Sequence, residues 1–111
     1  MLLVLAALSA AIAIGAGAFG AHGAKSPEAA EWLRTGGMYQ LVHAVAVVAL
    51  MGQAAMRWPS ILLLLGAAVF AGTLYAMAFG APRWLGAVTP IGGTLLIVGW
   101  LWAAWVFVRG A

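Results

Sequence analysis

The sequence predicts an all-α fold: an integral membrane four-helix bundle with a short amphipathic segment between helices 1 and 2. Three observations predict it. Hydrophobic residues make up 67% of the chain and charged ones 6%, where a soluble domain carries about 25% charged residues. Four apolar runs follow one another near residues 2–20, 38–56, 61–79 and 90–108, within one transmembrane domain over 1–111. The few basic residues stand singly in or beside the gaps between those runs. A hydrocarbon core about 30 Å thick takes roughly 20 residues of helix to cross. Backbone groups cannot go unpaired there, and the runs lack the alternation of a barrel strand, so helices are required.

The first run, Leu2 to Gly20, carries only Ser9 as a polar side chain. It lacks the positively charged start of a signal peptide and exceeds a typical apolar signal core, so it is expected to be a retained helix. Ser26-Pro27-Glu28 sets a capping oxygen, a first-turn proline and an early carboxylate in order, which predicts a helix from Pro27. Ala29 to Arg34 reads as an amphipathic piece with Glu28, Glu31 and Arg34 on its wet side. Gly36-Gly37 follows; a continuous, bent helix is expected, because a break would need a second set of caps. Trp58-Pro59-Ser60 is expected to form a tight turn into the third run, and Gly80 to Val88 an interfacial loop. Thr89-Pro90 starts the fourth helix and keeps the proline out of its interior.

The net charge of +3 comes from Lys25, Arg34, Arg57, Arg83 and Arg109. They form no basic face of the kind nucleic acid requires, and read as anchors in the headgroup layer. Lys25, Arg34 and Arg83 fall on one side, and Arg57 and Arg109 on the other. That difference of one charge leans to both termini outside. The chain has no cysteine, which excludes thiolate chemistry and disulfides. Trp58, Trp84, Trp102 and Trp105 suit an aromatic belt, Trp32 seats the amphipathic piece, and Trp100 lies deeper.

Gly15, Gly17 and Gly20 spell a dinucleotide fingerprint, but inside an apolar helix no strand precedes them to present a pyrophosphate site. Helix packing is the better reading for Gly17 and Gly20. The same logic applies to Ala68, Gly72, Ala76 and Gly80 on the third run, and to Gly92, Gly99 and Ala103 on the fourth, within one chain or between chains. Phe19-Gly20-Ala21 and Phe79-Gly80-Ala81 echo each other, a match that chance supplies cheaply in so Ala- and Gly-rich a chain.

A candidate polar cluster comprises His22, Tyr39, Gln40 and His43. Two imidazoles on neighbouring helices suit a metal, a haem or a proton path. Two ligands fall short of the three that zinc normally takes from protein, and the spans hold no Asp, Glu, Lys or Arg. Ser9 and Ser60 have no His–acid pair in reach. No catalytic residue, metal or cofactor is therefore assigned, and enzyme activity is not expected. The leading expectation is a structural or accessory membrane component that packs through small-residue helix faces. The alternative is a small-molecule or proton transport site around His22 and His43; below it stands a haem- or metal-binding protein. The expected partners are the lipid bilayer and a homo-oligomer or larger membrane complex.

Four segments occur in one order: Gly17-Ala-Phe-Gly-Ala-His-Gly23, Tyr39-Gln-Leu-Val-His43, Phe70-Ala-Gly-Thr-Leu-Tyr75, and Thr89-Pro-Ile-Gly-Gly93 with Gly99-Trp100. Together they resemble the YgdD-like membrane proteins, domain-of-unknown-function family 423, which includes animal transmembrane protein 256. The resemblance covers nearly the whole chain. It implies a small bacterial inner-membrane protein of four helices, with His22, Tyr39, Gln40, His43, Tyr75 and Pro90 at motif positions. It implies no activity. The family often has a basic residue where Met38 stands and an aromatic one where Val42 stands, so any site using those groups is altered here.

Overall fold

In the computed structural model, which describes residues 1–110, four helices account for nearly all of the chain. They are α1 (Leu2–His22), α2 (Pro27–Leu50), α3 (Arg57–Ala78) and α4 (Thr89–Gly110). Short 3-10 turns at Ala54–Met56 and Arg83–Ala87 lead into α3 and α4. Ser26 caps α2 through its hydroxyl, which accepts from the Ala29 amide at 3.0 Å. The helix then runs unbroken through Gly36-Gly37, so the amphipathic piece is its first turns. Its 24 residues reach about 36 Å at the standard rise.

Three expected boundaries move. The second run stops being helical at Leu50 rather than Met56, where the chain turns and Gln53 donates to the Leu50 carbonyl at 3.1 Å. Trp58-Pro59-Ser60 is the first turn of α3, not a turn before it. A proline is tolerated there because the first amides of a helix have no intrahelical acceptor to lose. Within the expected loop from Gly80 to Val88, Gly80 turns the chain at φ +105 and a 3-10 turn follows.

α1 packs on α2, α2 on α3 and α3 on α4, with α1 touching α3 more lightly. A core drawn from all four helices contains Ala6, Val47, Leu63, Ala67, Leu96 and Ala103. A smaller cluster around Ala29, Leu33 and Ala78 lies toward the opposite end. α1 fully buries only Ala6 and Ala13, while Leu3, Val4, Leu8 and Ile12 face outward. Three stretches are long and apolar enough to cross a membrane: Leu2–His22, Ala54–Ala78 and Arg83–Gly110. α2 is not among them; its charged first turns and its Tyr39, Gln40 and His43 dilute its apolar content.

Glycines set how closely the helices approach. A Cβ on Gly92 would lie 2.4 Å from the Phe70 amide nitrogen, and one on Gly66 would lie 2.9 Å from the Gly92 carbonyl, so α3 and α4 meet backbone to backbone. A Cβ on Gly99 would strike Leu63 at 2.8 Å, and one on Gly20 would press Leu33 at 3.0 Å. Gly17 presents its backbone to Gly37, although its own Cβ would meet nothing within 4 Å. The row Ala68, Gly72, Ala76 and Gly80 does not form the face that α3 buries within the chain. Ala68 and Gly72 are exposed, Ala76 is half-buried, and Gly80 is a turn residue. The buried face lies one step around, through Leu63, Gly66, Ala67, Ala71, Leu74 and Ala78. Small residues populate every side of this helix, so their spacing alone does not single out the packed side.

These contacts separate two glycines, Gly92 on α4 and Gly72 on α3, that differ only in environment. Gly92→Ala is expected to destabilise the purified protein by about 1–3 kcal/mol through backbone overlap. Gly72→Ala, with open space around it, should leave thermal stability unchanged or slightly raised. Thermal unfolding in detergent checks both; equal losses would contradict the described α3–α4 contact.

Candidate functional site

Polar side chains inside the bundle form two separate arrangements, one on each side of α2. On the first side Gln40 sits at the meeting of three helices. Its amide nitrogen donates to the Ser9 hydroxyl on α1 at 3.0 Å, and its oxygen accepts from the Tyr75 hydroxyl on α3 at 2.6 Å. The tyrosine ring reaches this position because Gly36, one turn before Gln40, leaves room for it: a Cβ there would lie 2.7 Å from the ring. Gly37 does the same for α1, since its Cβ would lie 3.0 Å from the Ala13 carbonyl. Both amide ends of the buried Gln40 are thus satisfied.

On the second side His43 is held between two partners. Its Nε2 accepts from the Trp100 indole on α4 at 3.0 Å, and its Nδ1 lies 2.6 Å from the Tyr39 carbonyl. An indole nitrogen can only donate. Nε2 must therefore carry the bare lone pair, and the proton on Nδ1 is donated to the carbonyl. Around this pair the rings gather: Tyr39 packs on Phe70 at 4.5 Å and against His43 at 6.3 Å, with Trp100 at 6.0 Å from His43. Between α3 and α4 the Thr73 and Thr89 hydroxyls bond at 2.6 Å. Thr89 therefore spends its hydroxyl across the interface and on the Leu85 carbonyl at 3.3 Å.

Of the four residues expected as one cluster, Tyr39 and His43 stay together, while His22 and Gln40 stand apart from them. His22 lies exposed at the end of α1 with no hydrogen bond to the others. Gln40 faces α1 and α3, whereas His43 faces α4 and Tyr39 opens to the outside. Residues three positions apart on a helix share a side only loosely, and here a neighbouring helix lies on each flank. Sequence reasoning missed Ser9, Tyr75 and Trp100 as partners. Each had a signal: the lone polar side chain of the first run, a tyrosine within the third, and the one tryptophan of the last run set away from its end.

At the wet end both carboxylates are paired. Glu28 on α2 pairs with Arg83 from the α3–α4 connection, and Glu31 pairs with Arg34. Arg83 also lies over the Trp32 ring at 5.5 Å. These groups are exposed, so each pair contributes little stability, on the order of 0–1 kcal/mol. Among the described residues no three His, Asp or Glu side chains converge as a metal set. Two apolar grooves open on the flanks. One of about 480 Å³ runs between α1 and α3, with Ser9 and Gln40 among its lining. The other, about 500 Å³, is lined by Tyr39, His43, Phe70 and residues of α4.

A family described as "Protein of unknown function (DUF423)" matches residues 16–93, from the second half of α1 into the first turn of α4. That stretch holds Gln40, His43 and Tyr75. The chain belongs to this family. It is 39% identical over 107 residues to a UPF0382 membrane protein of Staphylococcus saprophyticus, covering 89% of each chain. A Haemophilus influenzae UPF0382 membrane protein is also 39% identical, covering 89% of this chain and 86% of that one. The UPF0382 inner membrane protein YgdD of Escherichia coli is 38% identical over 108 residues, covering 89% of this chain and 82% of its own. No solved structure matches. With its apolar helices and these relatives, the DUF423 chain is a small multi-pass protein of the inner membrane.

The Gln40 junction makes a prediction that a merely apolar contact would not. Tyr75→Phe removes the donor and leaves the Gln40 oxygen unpaired, a loss expected at about 1–3 kcal/mol. Adding Gln40→Leu should recover part of that loss, because the stranded amide oxygen is removed with it and only the part-buried Ser9 hydroxyl loses a partner. Thermal unfolding of the single and double variants reads this; additive losses would show that the two side chains do not depend on each other.

Proposed function

We propose that this chain crosses the membrane four times and serves as a structural or accessory component, working by helix packing against a partner. Its own chemistry is spent inside the fold. The observation that carries the reading is His43, the one ionisable imidazole within the bundle, whose two ring nitrogens are both engaged. A ligand metal or a travelling proton would have to displace the Trp100 indole from Nε2 first. His22, the other imidazole, stands apart at an exposed helix end. The four-fold crossing is supported by order along the chain. α2 lies between and against α1 and α3, two helices apolar enough to span, and at 24 residues it is long enough to return the chain between them.

Packing against a partner is supported by what the chain leaves uncovered. α1 turns most of its apolar side outward, and the Ala68–Gly72 edge of α3 stays smooth and open. In a bilayer, close contact between small residues is what lets helices associate, because lipid offers no hydrophobic drive.

Gentle solubilisation from the native membrane, followed by mass spectrometry of the intact assembly, tests the proposal. The expected result is a fixed stoichiometry with another membrane protein or with further copies of this chain. Gly72→Leu should dissolve that assembly while leaving the thermal stability of the isolated chain unchanged. A single copy free of partners in wild-type membranes would overturn the reading.

A further inference from the structure

Most polar side chains along the middle of the four helices are bonded within the chain. Ser9, Gln40, His43, Thr73, Tyr75, Thr89, Thr94 and Trp100 each have a partner. Ser60 has none but is sealed in the core. Tyr39 differs from both cases. Its ring is fixed by Phe70 and His43, it is 43% exposed, and it lines the groove between α2, α3 and α4, yet its hydroxyl has no partner among the described residues. A hydroxyl facing hydrocarbon without an acceptor is costly, by several kcal/mol in the extreme.

We propose that this groove binds a flat, lipophilic ring carrying a carbonyl acceptor, a quinone-type headgroup, with Tyr39 donating the hydrogen bond. The walls favour a ring over a lipid chain. The Tyr39, Phe70 and Trp100 rings border the space, and aromatic faces pack offset or edge-on against a planar partner. Gly93 contributes no side chain on the α4 side; a Cβ there would meet only Phe70, at 3.9 Å. The groove's volume of about 500 Å³ falls in the usual range of small-molecule sites, about 300–1,000 Å³. Depth agrees as well. Tyr39 follows Arg34, in the wet first turns, by five residues, or about 7–8 Å along the helix. That is where a ring with a polar edge and an apolar tail settles. His43 orients Trp100 in the groove wall but has no free nitrogen to offer, and His22 takes no part.

The probe is decyl-ubiquinone, titrated into the purified protein in phospholipid nanodiscs and read by quenching of tryptophan fluorescence. Wild type is expected to show a saturable component. Trp100→Phe should remove most of that signal, whereas Trp105→Phe should retain it. Tyr39→Phe should weaken binding at least tenfold, and Gly93→Leu, which fills the groove from α4 without backbone overlap, should abolish it at unchanged thermal stability. Quenching that rises linearly and equally in all variants would mean partition into lipid only and would overturn the proposal. Saturable quenching indifferent to both Tyr39→Phe and Gly93→Leu would overturn it too, as would equal competition by added phosphatidylcholine, which would assign the groove to a lipid ester carbonyl.

Discussion

A polar side chain in hydrocarbon has no water to fall back on, and that constraint organises this bundle. Gln40, His43, Thr73 and Thr89 each meet a partner on another helix rather than on their own alone. Each such bond needs two backbones at a definite separation. The glycines supply the separation. Gly36 gives the Tyr75 ring its place beside Gln40, Gly37 lets α1 come near enough for Ser9, and Gly66 and Gly92 bring α3 and α4 close near the Thr73–Thr89 bond. Packing and hydrogen bonding are therefore one device here: the small residue decides the distance, and the distance decides which donors and acceptors can meet.

The same constraint bears on function. Tying up a titratable group at both ends fixes its geometry and leaves it no lone pair free for a new partner. His43 donates to its own helix and accepts from α4, so its ring works as a pin between α2 and α4. A proton path would use groups that exchange partners, and here Gln40 and His43 are each tied to two partners. What remains open lies on the flanks, in the two grooves and in the uncovered apolar side of α1. The activity of such a molecule is to be sought at its surfaces.

Much of the fold was legible in the sequence, for reasons that differ by element. α1, α3 and α4 follow from apolar length, and the start of α2 from Ser26-Pro27-Glu28, since both signals are local. The end of α2 was not legible: Gly52 and Gln53 are the one break in an apolar run that resumes at Ala54, and one Gly and one Gln do not by themselves end a helix. The amphipathic piece was legible as polar–apolar spacing, and its continuity with α2 as an absence of caps. The candidate site was half legible. Tyr39, Gln40 and His43 stand out as polar residues in an apolar run, but which side of α2 each faces depends on where α1, α3 and α4 lie. The face that α3 buries within the chain was hidden for a related reason. A row of small residues is visible on several sides of that helix, and the choice among them belongs to Gly66 and Ala67, whose partners come from α4 and the shared core.

α2 is the helix on which this arrangement turns, although it is the least suited of the four to stand in lipid alone. It carries both glutamates, an arginine, Tyr39, Gln40 and His43, and it is not among the stretches apolar enough to cross unaided. Its neighbours are the reverse: α1 is almost wholly apolar and offers one hydroxyl, at the point where Gln40 needs an acceptor. α3 offers the phenol and α4 the indole, each at the matching height. Helices in membranes can insert first and associate later, but α2 leaves a buried amide and an imidazole unsatisfied until α1, α3 and α4 are in place. The polar groups that make α2 a poor solitary span are the ones that specify its partners. A wholly apolar α2 would insert more readily, yet nothing in it would distinguish the correct faces of three helices rich in alanine, leucine and glycine.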